Sequence, residues 1–396
     1  MRSLIKIILL LFLPAFSKAQ QNLYWEEYTK EQIESLRSLL KNTSNDTLRM
    51  EIARSFCIYY MDIKRDSALY FVEQQLALAK QLKLKLWEAD ALDNLGYIRF
   101  LLTSYPRSLQ AFIEGVKIAE DKESEKNIWR ISKFSKEANP RIARLTVLAV
   151  IHHDMARLYG GTRNREKELF NYFKALKIAE SINDQAILSI VNMSLGLTFI
   201  NLNKLDSALV FEQQALNYSN TSGFQQNKGR ILYRIGMIYF KKGNYGMAKQ
   251  YFLEVIQESR EHNNQQDLGE AFVSLANLYL ITGNTDSSLW NAKKGLEIFQ
   301  SIGSPYELAN AYTSLSSIHR SRNNMDSAFI YQGLAMNAKD SLNNAEKIEQ
   351  FQNIGFDEQL RLRELEEEKI QVQHKIRTYA LLTAIAVFML IAFLLF

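Results

Sequence analysis

At 396 residues, with 48 basic and 43 acidic side chains interspersed to a net charge of +5, the chain has a mixed-sign surface and no nucleic-acid footprint. It is 47% hydrophobic but holds just four prolines and 16 glycines, a composition that points to an all-helical protein. One cysteine, Cys57, excludes an intrachain disulfide and any cysteine-based metal cage.

The first segment, MRSLIKIILLLFLPAFSKAQ, sets Arg2 and Lys6 before an apolar run from Ile7 to Phe16. Ser17 and Ala19 supply the small residues of a cleavage site, so residues 1–19 read as a secretory signal peptide and the mature chain starts near Gln20. The run is too short for a membrane helix and is broken by Pro14. Residues 20–45 contain EQIESLRSLL (Glu31 to Leu40), expected to be a helix that caps whatever follows.

Residues 46–342 carry a repeat. Taking Gly236 as reference, Gly196, Ala276 and Ser316 stand at steps of 40 residues, and Ala156, Gly96 and Phe56 continue the series backwards with 20 extra residues between Gly96 and Ala156. Three residues after the slot an aromatic recurs (Tyr59, Tyr159, Phe199, Tyr239, Tyr279), and twelve after it a small residue (Ala68, Ser108, Ala208, Ala248, Ser288, Ala328). Within each unit apolar residues fall at spacings of three and four, the mark of an amphipathic helix. Turns such as KKGN, ITGN and NLNK divide the unit, with Gly or Asn able to take the left-handed conformation that ends a helix. Each unit is therefore two antiparallel helices, and Gly236 and Ala248 are expected to face each other where they cross. The fold class is an all-α solenoid of about seven helical hairpins.

Two stretches break the period. The insertion, around 123–142 in DKESEKNIWRISKFSKEANPRIAR, admits two readings: a functional element on one face, or a longer helix with a solvated loop. From Asn343 to Arg377, the residues Ile348, Phe351, Leu362, Leu365, Val372 and Ile376 share one a/d register, interrupted by Gly355, Glu358 and Lys369. This is a short helical or coiled-coil linker. The final stretch YALLTAIAVFMLIAFLLF, Tyr379 to Phe396, has 18 residues without a charge or a polar stripe, so 378–396 reads as one transmembrane helix.

No catalytic constellation stands out: GxxxxGK[ST], HExxH, GxSxG and the dinucleotide fingerprint are all missing. His152 and His153 precede Asp154, but adjacent helix residues point about 100° apart and cannot chelate together. Glu366, Glu367 and Glu368 are a solvated face of the linker. The chain is expected to be no enzyme and to hold no metal or cofactor.

The recurring slots resemble the tetratricopeptide repeat (TPR) family, with Gly236, Tyr239, Ala248 and Val255 at its eighth, eleventh, twentieth and twenty-seventh positions. The likeness covers about Asp46 to Asp340. It departs in a period of 40 instead of 34, in the loss of the terminal proline (Arg260 and Gln300 stand there), and in bulky Phe56 and Glu168. Longer helices account for the first two departures. The resemblance implies a concave groove lined by the first helix of each hairpin. Residues three before and one after each slot would point into it: Asp93 and Tyr97, His153 and Arg157, Met193 and Leu197, Tyr233 and Met237, Val273 and Asn277, Thr313 and Ser317. Of these, Asp93, Tyr97, His153, Arg157, Tyr233, Met237 and Asn277 are the binding-groove candidates. The family's Lys/Asn carboxylate clamp is not reproduced.

The order of segments resembles the sensor half of bacterial TPR-containing histidine kinases. That implies a single-pass inner-membrane protein with a periplasmic array that binds a protein or peptide, an option of homodimerisation through the stalk, and no nucleic-acid partner. A tail-anchored periplasmic scaffold is the alternative. Lys375 and Arg377 would lie outside, against the positive-inside bias, which favours a chain that continues into an output domain.

Overall fold

The computed structural model describes residues 28–222 and 227–340, together with 373, 377 and 378. The signal-like segment 1–19, nearly all of the 343–377 linker and the apolar segment 378–396 beyond its first residue lie outside the described residues. No described helix is long and apolar enough to cross a membrane. Helix α1 (Lys30–Asn42) precedes seven hairpins: α2 (Asp46–Tyr60) with α3 (Arg65–Gln81), α4 (Lys85–Leu101) with α5 (Tyr105–Glu120), α6 (Pro140–Gly161) with α7 (Arg165–Ser181), and α8 (Gln185–Asn201) with α9 (Leu205–Ser222). The last three are α10 (Lys228–Lys241) with α11 (Tyr245–Glu261), α12 (Gln265–Ile281) with α13 (Thr285–Ile302), and α14 (Pro305–Ser321) with α15 (325–340). The described residues form helices and connections and contain no strand.

The hairpin turns divide their labour more finely than the sequence reading supposed. Gly243 (φ 77°) and Gly283 (φ 84°) take the left-handed step that ends a helix. The asparagine that follows caps the next helix, Asn244 accepting from the amide of Met247 at 3.2 Å and Asn284 from that of Ser287 at 3.0 Å. In NLNK, by contrast, Asn203 itself turns left-handed at φ 55°.

Gly236 is small for a different neighbour than expected. A Cβ there would stand 2.7 Å from the ring of Phe252 and 3.3 Å from Cβ of Tyr251. The same arrangement holds at Gly96, 2.7 Å from Phe112, and at Gly196, 2.6 Å from Glu212. Residues sixteen apart thus pair small with large across the crossing. The slot twelve residues on lies alongside the same backbone: Ser108 donates to the carbonyl of Gly96 and Ser288 to that of Ala276, both at 2.7 Å.

The two bulky slots are accommodated. Phe56 is 1% exposed, 4.7 Å from the Phe71 ring between centroids, and clusters with Ile33 of α1. Glu168, on α7, is buried but accepts from Thr198 Oγ1 at 2.6 Å and pairs with Arg165.

The insertion joins a longer first helix, α6 with 22 residues, to a connection exposed over much of its length but pinned to the core. Two 3-10 turns (Lys122–Glu125 and Ile131–Lys133) fold it inward, so that Phe134 is fully buried and packs edge-on against Trp87 with ring centroids 5.1 Å apart. The indole of Trp87 donates to the carbonyl of Trp129 at 2.8 Å. Arg130, at φ 48°, pairs with Glu51 of α2, and Arg144 of α6 pairs with Glu125 at 2.8 Å. The insertion closes the core where α2, α4 and α6 meet.

Candidate functional site

From α4 onward the first helices of successive hairpins touch each other, forming one continuous face. Two basins open on it. The first, about 450 Å³, lies mainly on α4, α6 and α8 and is lined by Tyr97, His153, Arg157, Met193 and Leu197 among others. The second, about 610 Å³, lies on α8, α10, α12 and α14 and is lined by Tyr233, Met237, Val273, Asn277, Thr313 and Ser317 among others. Six of the seven candidates therefore share this face, split three and three between the basins.

Asp93 is the exception. It is 5% exposed, lines neither basin, and its Oδ1 has no hydrogen-bond partner. Burial holds its carboxyl well above the usual range, and the charges of Asp154 and Asp90 push in the same direction. It belongs to a buried charged layer under the first basin, where Arg54 grips Asp90 at 3.0 Å and Gln75 donates to the same carboxylate at 2.7 Å. Spacing placed Asp93 correctly on the helix, but it lies in mid-helix among Asp90, Arg54, Asp154 and Arg157, which take the place of solvent.

The groove side chains are fixed from beneath by a polar ladder. His153 has Nδ1 2.9 Å from Oδ1 of Asp154 and Nε2 3.0 Å from Oγ of Ser194 on the next hairpin. Arg234 donates to the carbonyl of Met193 at 2.8 Å, Ser274 reaches the hydroxyl of Tyr233 at 3.4 Å, and Ser314 donates to Oδ1 of Asn277 at 2.7 Å. Each rung joins one hairpin to its predecessor. Arg157 adds a further link, donating to the Tyr97 hydroxyl at 2.8 Å while lying 4.5 Å from the centre of that ring. Such satisfied networks hold side chains in one arrangement.

The two histidines part company as helix geometry demands. His152 donates from Nδ1 to Asn171 on α7 at 2.9 Å, while His153 faces α8. Burial lowers the His152 pKa. Among the described residues no group of three or more His, Cys, Asp or Glu is placed to hold a metal ion.

The second basin is more apolar and is lined by Tyr233, Met237, Phe240 and Tyr306 together with charged side chains. Arg230 pairs with Asp267 and Glu270, both at 3.0 Å. Burial pushes the Tyr233 hydroxyl up to about 12. Tyr306 lines the rim and is 62% exposed. Sequence reasoning missed Arg230, Arg234, Glu270 and Tyr306. A signal for one of them existed: two residues before each slot the chain is polar in all seven units (Arg54, Asn94, Asp154, Ser194, Arg234, Ser274, Ser314). That column supplies the ladder.

A sequence model described as tetratricopeptide repeat matches residues 229–262, spanning α10, α11 and the turn between them. Residues 229–262 are a tetratricopeptide repeat. The other hairpins share its geometry, and tetratricopeptide-like helical repeat proteins are the chain's structural neighbours. The apo form of RapI aligns with a TM-score of 0.56 at 12% identity, over 74% of this chain and 99% of its own. A Rap protein complexed with Competence and Sporulation Factor gives 0.55 at 17%, over 80% and 82%. Aspartyl phosphate phosphatase F from Bacillus subtilis gives 0.56 at 14%, over 84% and 80%. At these identities the likeness is one of fold. No curated protein sequence matches the chain.

Proposed function

We propose that the chain is a non-enzymatic interaction module that holds a protein or peptide segment along the face of its first helices. The observation that carries this reading is the pair of adjoining basins, whose lining side chains are positioned by inter-hairpin hydrogen bonds yet keep large apolar surfaces such as Tyr306 in reach of solvent. Preorganised aromatic surface is what makes a few residues dominate an interface. A solved relative in fold was captured with Competence and Sporulation Factor, which supports a binding role for such an array. The signal-like start and the apolar stretch 378–396 support an extracytoplasmic array anchored in the bacterial inner membrane, as the sensor portion of a signalling protein.

Photo-crosslinking tests the binding face. A crosslinker at Tyr306 or Met237 should trap a discrete partner in cells, while one at Lys249 on α11 should trap none. Equal trapping at all three sites would remove the groove reading. For topology, a reporter active only outside the cytoplasm, fused after residue 340, should be active.

A further inference from the structure

The last hairpin presents a face that its predecessors bury. Thirteen residues after the slot, the second helices carry Leu69, Leu109, Leu169, Leu209 and Leu289, with Lys249 the exception. Twenty after it they carry Leu76, Val116, Leu176, Leu216, Ile256 and Leu296. All of these apolar residues are buried or half-buried, in clusters shared with the first helix of the hairpin that follows. Leu69 and Leu76 join Leu92 and Leu95 of α4, for example, and Leu289 and Leu296 join Leu315 and Ile318 of α14. On α15 the same two positions are Phe329 and Met336, which are 69% and 58% exposed among the described residues. Leu334 widens the face in a column that is polar in every other hairpin (Gln74, Glu114, Lys174, Gln214, Glu254, Lys294). No charged residue stands on α15 between Asp326 and Lys339. A face this apolar marks a contact surface.

The sequence that follows α15 matches this face in phase. Left-handed residues end the second helices at multiples of 40: Asn183 (φ 50°), Asn263 (φ 54°) and Gly303 (φ 68°). Asn343 falls next in that series. The pair Asn343–Asn344 repeats Asn263–Asn264, whose second member caps α12 by accepting from the amide of Asp267 at 3.1 Å. Ile348 then holds the position of Leu188, Leu268 and Leu308 in earlier first helices. Phe351 holds that of Val191, Ile231, Ala271 and Ala311, all fully buried. The match stops at Gly355, where the four preceding hairpins have Leu195, Ile235, Leu275 and Leu315.

We propose that residues 345–354 of this chain dock as a helix along the open face of α15, with Ile348 and Phe351 against Phe329 and Met336. Ile348 and Phe351, which a coiled-coil register would give to a second copy, are then spent inside the chain. Pairing with a second copy is left to the segment after Gly355, and the linker starts from a fixed point on the last hairpin. None of this depends on what the groove holds.

Hydrogen–deuterium exchange on the full chain in detergent tests the docking. Amides 348–354 should be protected in the parent and exchange about tenfold faster or more in the double variant Phe329→Glu, Met336→Glu. Leu253→Glu, at an exposed apolar residue of α11, should leave them unchanged. In the reverse direction, Phe351→Glu should speed exchange in α15. Unprotected amides in the parent, protection that survives the double variant, or an equal loss in Leu253→Glu overturns the proposal. Protection that grows with protein concentration alongside a dimeric mass gives these residues to a second copy and also overturns it. Amides of α14 report whether the double variant keeps its fold. Should they exchange faster as well, Phe351→Glu decides alone: faster exchange in α15 supports the docking and unchanged exchange overturns it.

Discussion

The two basins occupy equivalent positions on the same scaffold and yet differ in what they leave available. In the first, polar groups are consumed by one another: Tyr97 by Arg157, Arg157 by Asp154, Asp154 by His153 and His153 by Ser194. Beneath it lie more buried ionisable groups, Arg54, Asp90 and Asp93. In the second, Arg230 is likewise engaged by Asp267 and Glu270, but the rungs are made of hydroxyls and one amide, and aromatic and thioether surface faces the opening. A repeat fixes where side chains stand; which of them remain free for a partner depends on how their neighbours satisfy them. The first basin's polar lining is thus largely engaged within itself, and the second leaves more apolar surface at its opening.

The largest expected effect tests the charged half. Arg54→Met leaves Asp90, itself 1% exposed, without its cation, and should cost about 3–5 kcal/mol in urea unfolding at pH 7. A loss below about 1 kcal/mol would show that this layer is not held by its ion pair. Next comes Glu212, between the basins. Its folded pKa, raised by burial from 4.5 to about 8, means the native state keeps a proton that the unfolded state releases. Its contribution is therefore lost progressively as pH rises from about 4.5 to 8, and Glu212→Gln should flatten that slope, gaining roughly 2–4 kcal/mol over the parent at pH 8.5. Identical pH profiles for the two proteins would refute the buried neutral carboxyl.

Packing should be common to both halves. Gly96→Leu and Gly236→Leu each drive a side chain into a phenylalanine ring 2.7 Å from the new Cβ, and each should cost about 1–3 kcal/mol. If one is tolerated and the other is not, the halves differ in more than their polar groups. The smallest effect on stability belongs to Tyr306→Ala, under about 1 kcal/mol since the ring is mostly exposed. The same change should weaken peptide binding about tenfold, near 1.4 kcal/mol. A melting point that falls while affinity holds would reverse the assignment.

Much of this architecture was legible from period and residue size. The spacing of Gly236, Tyr239 and Ala248 placed every hairpin, because a crossing of two helices tolerates few residue types. The groove-facing positions followed from the same frame, and eleven of the twelve line the basins. What spacing could not show was occupancy. Asp93 has the right phase and is covered by its neighbours; Phe252 sixteen residues away, not Ala248, takes up the space over Gly236. The insertion was illegible for a related reason. The sequence left a functional element and a longer helix with a solvated loop both open, whereas Trp129 and Phe134 steer part of it into the core and Arg130 reaches Glu51 from a loop 79 residues further along the chain.

That last contact alters the mechanics of the array. A stack in which each hairpin touches just its neighbours can unravel from an end, one unit at a time. Here Glu51 of α2 is clasped by Arg130 and Lys133, from a segment that lies beyond the second hairpin and is itself anchored on Trp87. Opening the first hairpin therefore requires the insertion to let go, and with it the junction to α6. The expected outcome is that the first three hairpins open together: amides in α2 should exchange with deuterium no faster than those in α4, where an unclasped array would grade from the edge inward.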